Sequence, residues 1–307
     1  MPRPQTVSSI RFVRFFRHLS WATLKKTFIR VGERRLLGLS AEIAYNMMLS
    51  LFPAVLAVIT AIGLFEESLQ STFRQMAVQL SKVAPDEALV LIRDFAKEIT
   101  QSKNTGLFSI SFIAAIWAAS GALSAAMNAL DQIHQIPQEQ IRPFWKAKLV
   151  SLGLTAGTIL LLVVASFLVF ISDLILQFLV SEIHSLSVLV VIWQLLSWPL
   201  ALSIVAAAFG FVYRYGPSCW NSGTPMMPGA VLAAIFWAIL SGLFRLYVAN
   251  FGNFNKAYGA VGAVIVLLLW LYMSAVVLLI GDQLNVTVGE AMRPQKRPPP
   301  NPKPHHN

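Results

Sequence analysis

The sequence predicts an all-α, polytopic membrane bundle of six transmembrane helices with both termini cytoplasmic, and three observations carry that prediction. Hydrophobic residues fill 56% of the 307 positions and charged ones only 12%, about half the charged share of a soluble domain. Six separate apolar runs are long enough for a ~30 Å hydrocarbon core, which takes about 20 helical residues to cross. The basic residues are also divided unevenly between the loops. A globular fold of this length could not hide so much apolar surface from water. A soluble enzyme, a secreted disulfide scaffold and a disordered chain are therefore excluded. The single cysteine, Cys219, cannot form an internal disulfide.

Residues 1–35 precede the first run and form a basic, amphipathic segment. Arg11, Arg14 and Arg17 follow one helical stripe, with Phe12, Phe15, Phe16 and Leu19 beside them. Such a segment is expected to lie on the inner leaflet, its cations on anionic headgroups. The first apolar run starts after too many polar residues, and is too long, to be a signal-peptide core. The predicted spans are then 38–65, 107–130, 149–171, 186–213, 229–249 and 258–288. Period-two alternation, the mark of barrel strands, is absent from them. Between the first two spans, residues 66–104 form an outer loop with two helical patterns broken near Pro85; Leu89, Ile92, Phe95, Ala96 and Ile99 make an apolar face in the second. The tail, 291–307, is rich in Pro and Lys and is expected to be disordered.

Nine basic residues precede the first span. The second-to-third connection carries Arg142, Lys146 and Lys148, the fourth-to-fifth carries Arg214, and the tail carries Arg293, Lys296, Arg297 and Lys303. All of these fall on one side of a six-span chain, so the positive-inside rule places both termini in the cytoplasm.

Ionisable groups inside a span are costly and so point to function. Glu42 lies about 9 Å into the first helix at 1.5 Å per residue, and Asp282 lies at a similar depth from the end of the sixth. Two acids at one depth are candidates to face a shared cavity, or to pair with Arg214 at the boundary. Asn46 and Ser50 follow Glu42 at one-turn intervals on the same face. Arg245, near the outer end of the fifth helix, can snorkel to headgroups or hold a lipid phosphate. Pro53 and Pro199 interrupt the first and fourth spans and free backbone carbonyls. Two stretches of small residues, Ala114 to Ala126 and Gly259 to Ala263, are expected to be close helix contacts.

No catalytic constellation is visible. His18, His134, His184, His305 and His306 sit in termini or loops without metal-ligand spacing or a nucleophile partner. No Gly-rich phosphate cradle occurs. The expectation is a non-enzyme without cofactor or metal, with membrane lipids and not nucleic acid as its partners; homo-oligomer formation is left open.

The motifs carry a resemblance. The first span reads SAEIAYNMMLSLFP over 40–53, the second contains IWAASGALSAAMNAL over 116–130, and Arg142-Pro-Phe-Trp-Lys follows. YRYGP stands at 213–217, Pro228-Gly-Ala opens the fifth span, LFRLYV follows from Leu243, and YGAVGAVIVLLLWLY fills 258–272. From about residue 20 to 290 the chain resembles the YihY/BrkB family of bacterial inner-membrane proteins. The resemblance implies a six-helix bundle in the plasma (inner) membrane and a transport or lipid-handling role. Some members bear the label ribonuclease BN, which would demand metal ligands or an acid–base pair near a basic channel. Relatives have Gly-Ala-Glu or Gly-Gly-Glu near the end of the sixth helix; here Gly281-Asp282-Gln283 places the acid one position earlier, about 100° around the helix.

The expected function is a transporter or lipid-translocating protein for an amphipathic or anionic substrate, with a non-catalytic scaffold for envelope proteins as the alternative. The candidate pathway is Glu42, Tyr45, Asn46, Ser50, Pro53, Asn128, Arg214, Arg245, Tyr258 and Asp282.

Overall fold

In lipid every backbone N–H and C=O must find its partner inside the protein, which leaves the helix as the economical form for apolar runs such as these. The computed structural model describes residues 14–64, 105–161, 187–219, 225–251 and 254–292. Every regular element among them is helical. A helical turn over 14–18 leads into α1 (Trp21–Glu33), α2 (Leu36–Leu64) and α3 (Thr105–Ile133). A short 3-10 turn (Gln138–Gln140) precedes α4, which is described from Phe144 to Leu161. Then come α5 (Ser187–Tyr215), α6 (Met227–Phe251) and α7 (Phe254–Ala291). Five of the described helices, α2, α3, α4, α6 and α7, are long and apolar enough to cross a membrane, and α5 contributes a shorter apolar stretch over Pro199–Tyr215.

α2 packs chiefly on α3, α7 on α2 and α6, and α5 on α6, while α1 lies across the end of α7. Burial is concentrated at that α1 end. The core joins Leu36 and Ile43 of α2, Ala125, Ala126, Ala129 and Leu130 of α3, Tyr213 of α5, Ala230 of α6 and Leu278 and Leu279 of α7. The first half of α7 is open by contrast, with Val261, Val264 and Ile265 exposed. Lipid solvates such side chains as well as a protein core does, so nothing compels their burial. The small-residue stretch of α3 is a close contact only in its later part: Ala122, Ala125 and Ala126 are buried but Ala114 is exposed. Ala263, expected in a contact, is exposed as well.

α1 starts where Ser20 Oγ accepts the Thr23 N–H at 3.3 Å, an N-cap. It ends at Arg35, whose φ of 53° turns the chain into α2. Thr23, Thr27 and Val31 are buried against the bundle. Trp21 (82% exposed) and Phe28 (67%) point the other way. The cations Lys26, Arg30 and Arg34, spaced one turn apart, line the inner edge. Lys26 and Arg30 pair with Glu290 of α7 at 3.2 and 2.8 Å. Phe15, fully buried, plugs between Leu284 and Val288. Part of the positive charge expected to meet lipid is thus neutralised within the protein, while Arg14, Arg17, Lys25 and Arg35 remain exposed.

The helix of the third expected span starts earlier than residue 149, at Phe144, so Lys148, counted above among the loop cations, stands about one turn inside α4. The outer loop 66–104, the tail from Arg293 and Arg11 fall outside the described residues.

Candidate functional site

Successive residues on a helix point about 100° apart, so a polar run on a surrounded helix must satisfy several neighbours at once. α7 contains such a run. Asp282, Gln283, Asn285 and Thr287 are each at most 1% exposed. Gln283 Oε1 accepts from Arg34 Nη1 at 2.9 Å, and its Nε2 donates to Thr287 Oγ1 at 3.0 Å. Arg34 also donates to the Ile133 carbonyl at the end of α3. Burial pulls the Arg34 guanidinium below its ordinary pKa, though it stays charged. Asn285 accepts the Gly229 N–H at 2.9 Å and donates to the Met226 carbonyl at 3.1 Å, tying α7 to the start of α6.

Asp282 turns toward α3. Its Oδ2 lies 2.9 Å from Nε2 of His134, and both side chains are 1% exposed. His134 reaches this position because Gln135, with φ 51°, reverses the chain after α3. The Ile136 N–H then closes on the Asp131 carbonyl at 3.0 Å, a Schellman-type stop. Asp282 Oδ1 is buried and has no hydrogen-bond partner. Beside the pair, the Tyr213 hydroxyl donates to the Leu278 carbonyl at 2.7 Å. Gly281 admits that hydroxyl, since a Cβ there would stand 2.4 Å from Tyr213 Oη.

A second cluster fastens the end of α5. Arg142 donates to the carbonyls of Tyr215, Gly216 and Pro217 at 3.1, 2.8 and 2.7 Å. A cation on the last carbonyls of a helix meets the negative end of its dipole. Asp131 accepts from Ser218 N at 2.6 Å and from Ser218 Oγ at 2.7 Å. Two motif blocks that are separate in sequence, RPFWK and YRYGP, are therefore the two halves of one clasp. A third cluster lies on α3 and α4, where Lys148 Nζ donates to Ser120 Oγ at 2.6 Å and sits 4.1 Å from the centre of the Trp117 ring.

The sequence-predicted pathway is only partly brought together. Glu42 and Tyr45 are exposed on α2, while Asn46 and Ser50 are half-buried. Asn46 Nδ2 donates to the Glu42 carbonyl at 2.9 Å, and Ser50 Oγ to the Met47 carbonyl at 2.6 Å. Asn46 lies on Gly121 of α3, where a Cβ would meet its Oδ1 at 2.9 Å. Pro53 is half-buried; Asn128, Arg214 and Arg245 are exposed. Of Tyr258 only the backbone, within α7, is described. Asp282 alone is deep in the packed core. Among the described residues Glu42 and Asp282 do not face a shared cavity, since Glu42 is exposed on α2 and Asp282 is buried against His134. Nor is Arg214 the ion partner of Asp282, a place taken by His134. Sequence reasoning missed His134, Asp131, Lys148 and the amides of α7. For His134 a signal existed, since it directly follows the last apolar turn of α3. Among the described residues no three His, Cys, Asp or Glu side chains gather as metal ligands would.

Residues 27–306 match the family model described as Virulence factor BrkB. The chain is 30% identical to a ribonuclease-like protein, YfkH, of Bacillus subtilis over 262 residues, covering 85% of this chain and 93% of that one. It is 26% identical to a UPF0761 membrane protein of Tolumonas auensis, over 85% of this chain and 83% of the relative. A UPF0761 membrane protein of Kangiella koreensis is 20% identical over 85% of this chain and 62% of its own length. No solved structure matches the chain.

Proposed function

The chain is an integral membrane protein belonging to the Virulence factor BrkB family, and we propose that it is a transporter of an amphipathic, anionic substrate, not an enzyme. The observation that carries this reading is the buried His134–Asp282 pair with its unpartnered Oδ1. A pair kept only for stability would satisfy both carboxylate oxygens, since an unsatisfied buried acceptor costs about 1–3 kcal/mol. A bare oxygen where the end of α3 meets α7 is instead a place that a cation or a donor group of the substrate can occupy. Occupying it alters what holds α3 to α7, and transporters need a two-state element of this kind.

In this reading the helices make six spans, α5 being the fourth, with both termini in the cytoplasm. The polar layer of α7 then lies at the cytoplasmic end, and α1 lies on the inner leaflet with Trp21 and Phe28 in the acyl boundary and Lys25 and Arg35 at anionic headgroups. The orientation has a direct check in the single cysteine, Cys219, which is half-exposed just after α5. A membrane-impermeant maleimide is expected to label Cys219 in inside-out vesicles and to leave it unlabelled in intact spheroplasts. The opposite pattern would reverse the topology.

The test of transport is leaflet exchange of fluorescent phospholipids in liposomes holding the purified protein. Exchange faster than in protein-free liposomes is expected. The scaffold reading rests on the outward apolar face of α1 serving a protein partner; it predicts no exchange, and loss of function when α1 is removed while Asp282 is dispensable.

A further inference from the structure

Long cationic side chains near a helix end normally bend back to the interface and leave their charge in water. Lys148 does not. It stands one turn, about 6 Å, inside the start of α4, yet its ammonium is fastened to the middle of α3. Its anchor, Ser120, and the ring beneath it, Trp117, lie near the centre of the apolar stretch Ser109–Ile133. Ser120 is 13 residues from Ile133, or roughly 20 Å along the axis. A full positive charge is thus held near the mid-depth of a membrane helix, where ionisable groups are costly and mark substrate paths.

What surrounds the charge is incomplete in a particular way. An ammonium has three N–H donors. One is used by Ser120, and the cation rests on the Trp117 face. Among the described residues no carboxylate pairs with it. The site is also open on its lipid side. Trp117 is 56% exposed, and Ile113 and Ile110, at four and seven residues before it on the same face of α3, are 65% and 69% exposed. An anion arriving there would find a cation, a hydroxyl-anchored geometry and an aromatic wall, while a hydrocarbon chain attached to it could lie along the isoleucines.

We propose that Lys148, seated on Ser120 and Trp117, binds the phosphate or carboxylate group of an amphipathic anion within the membrane, with Ile110 and Ile113 receiving its apolar part. The chemistry the site recognises is a single compact anion, drawn either from a membrane lipid or from a soluble source. This deepens the transport reading and rests on it for the movement of the ligand, but binding can be measured without movement.

The experiment uses the full chain in nanodiscs of zwitterionic phosphatidylcholine doped with increasing phosphatidylglycerol. The readout is the difference in tryptophan fluorescence between wild type and Trp117→Phe, with native mass spectrometry of retained lipid alongside. Wild type is expected to show a saturable change, Lys148→Gln to weaken it roughly tenfold or more, as loss of a charged hydrogen bond would, and Lys148→Arg to keep most of it. A parallel titration with inorganic phosphate separates the sources: a matching response that competes with phosphatidylglycerol supports the site as one for a soluble anion, and no response supports a lipid. Equal binding by Lys148→Gln, in protein whose melting matches wild type, overturns the proposal. Should Lys148→Gln fail to fold, loss of lipid retention in Trp117→Phe supports the site and unchanged retention there overturns it. Binding that depends on Lys148 without any leaflet exchange would leave the site standing and remove transport, so the two failures are distinguishable.

Discussion

Asp282→Ala is expected to destabilise the folded bundle by about 2 kcal/mol, the net of two opposing effects. Removing the carboxylate leaves the buried His134 ring without its hydrogen-bond partner, which costs about 1–3 kcal/mol and more where charge is involved, and it opens a cavity in the core as well. Removing the unsatisfied Oδ1 together with it returns about 1–3 kcal/mol. The first effect is larger, because His134 is left 1% exposed with its acceptor gone. A melting curve in detergent should therefore fall clearly, and the double variant His134→Ala/Asp282→Ala should fall by less than the two single losses added together. An unchanged melting curve for Asp282→Ala would mean that the pair holds nothing.

Gly281→Ala is the second large effect, and it acts through shape. A Cβ at 281 would stand 2.4 Å from Tyr213 Oη, 2.6 Å from Ala233 Cβ and 3.3 Å from the Gly229 carbonyl. None of the three can easily give way. Tyr213 is wholly buried and held by the Leu278 carbonyl, and Ala233 belongs to a packed face of α6. Overpacking costs about 1–3 kcal/mol, and the gain in helix propensity returns at most about 1 kcal/mol. A net loss of about 2 kcal/mol is expected, together with displacement of Tyr213. Gly242 is the internal control: a Cβ there meets nothing within 4 Å, so Gly242→Ala should be neutral or slightly stabilising. Equal melting of the two variants would contradict the packing described for α5, α6 and α7.

Residues, more than composition, decide what could be read before folding. The apolar runs located α2, α3, α6 and α7, because length and hydropathy are local properties. The basic stripe read at Arg11, Arg14 and Arg17 is described only as a helical turn over 14–18, and it is in α1 that Lys26 and Arg30 spend their charge on Glu290. Azimuth was not legible. Counting residues from each helix end put Glu42 and Asp282 at one depth, but a membrane helix that is apolar all round has no amphipathic stripe to say which way it faces. Helix ends were the second weakness. Hydropathy alone starts the third span at 149 and leaves Lys148 in a loop, whereas the helix begins at Phe144 and carries Lys148 to Ser120 and Trp117 of α3. In the sequence His134 reads as a loop residue, yet the left-handed turn at Gln135 folds it into the core. Contacts such as Arg142 with the carbonyls of 215–217 join positions more than 70 residues apart, and local periodicity does not encode them.

The reading of Asp282 as a functional carboxylate is tested most directly by Asp282→Asn in the leaflet-exchange assay, with melting measured on the same protein. Asparagine keeps the volume of the side chain and an acceptor for His134, but it cannot carry the charge or release a proton. The predicted result is a bundle that melts near wild type and exchanges phospholipid no faster than protein-free liposomes. Exchange at the wild-type rate by the folded variant would contradict a transport role for the His134–Asp282 pair.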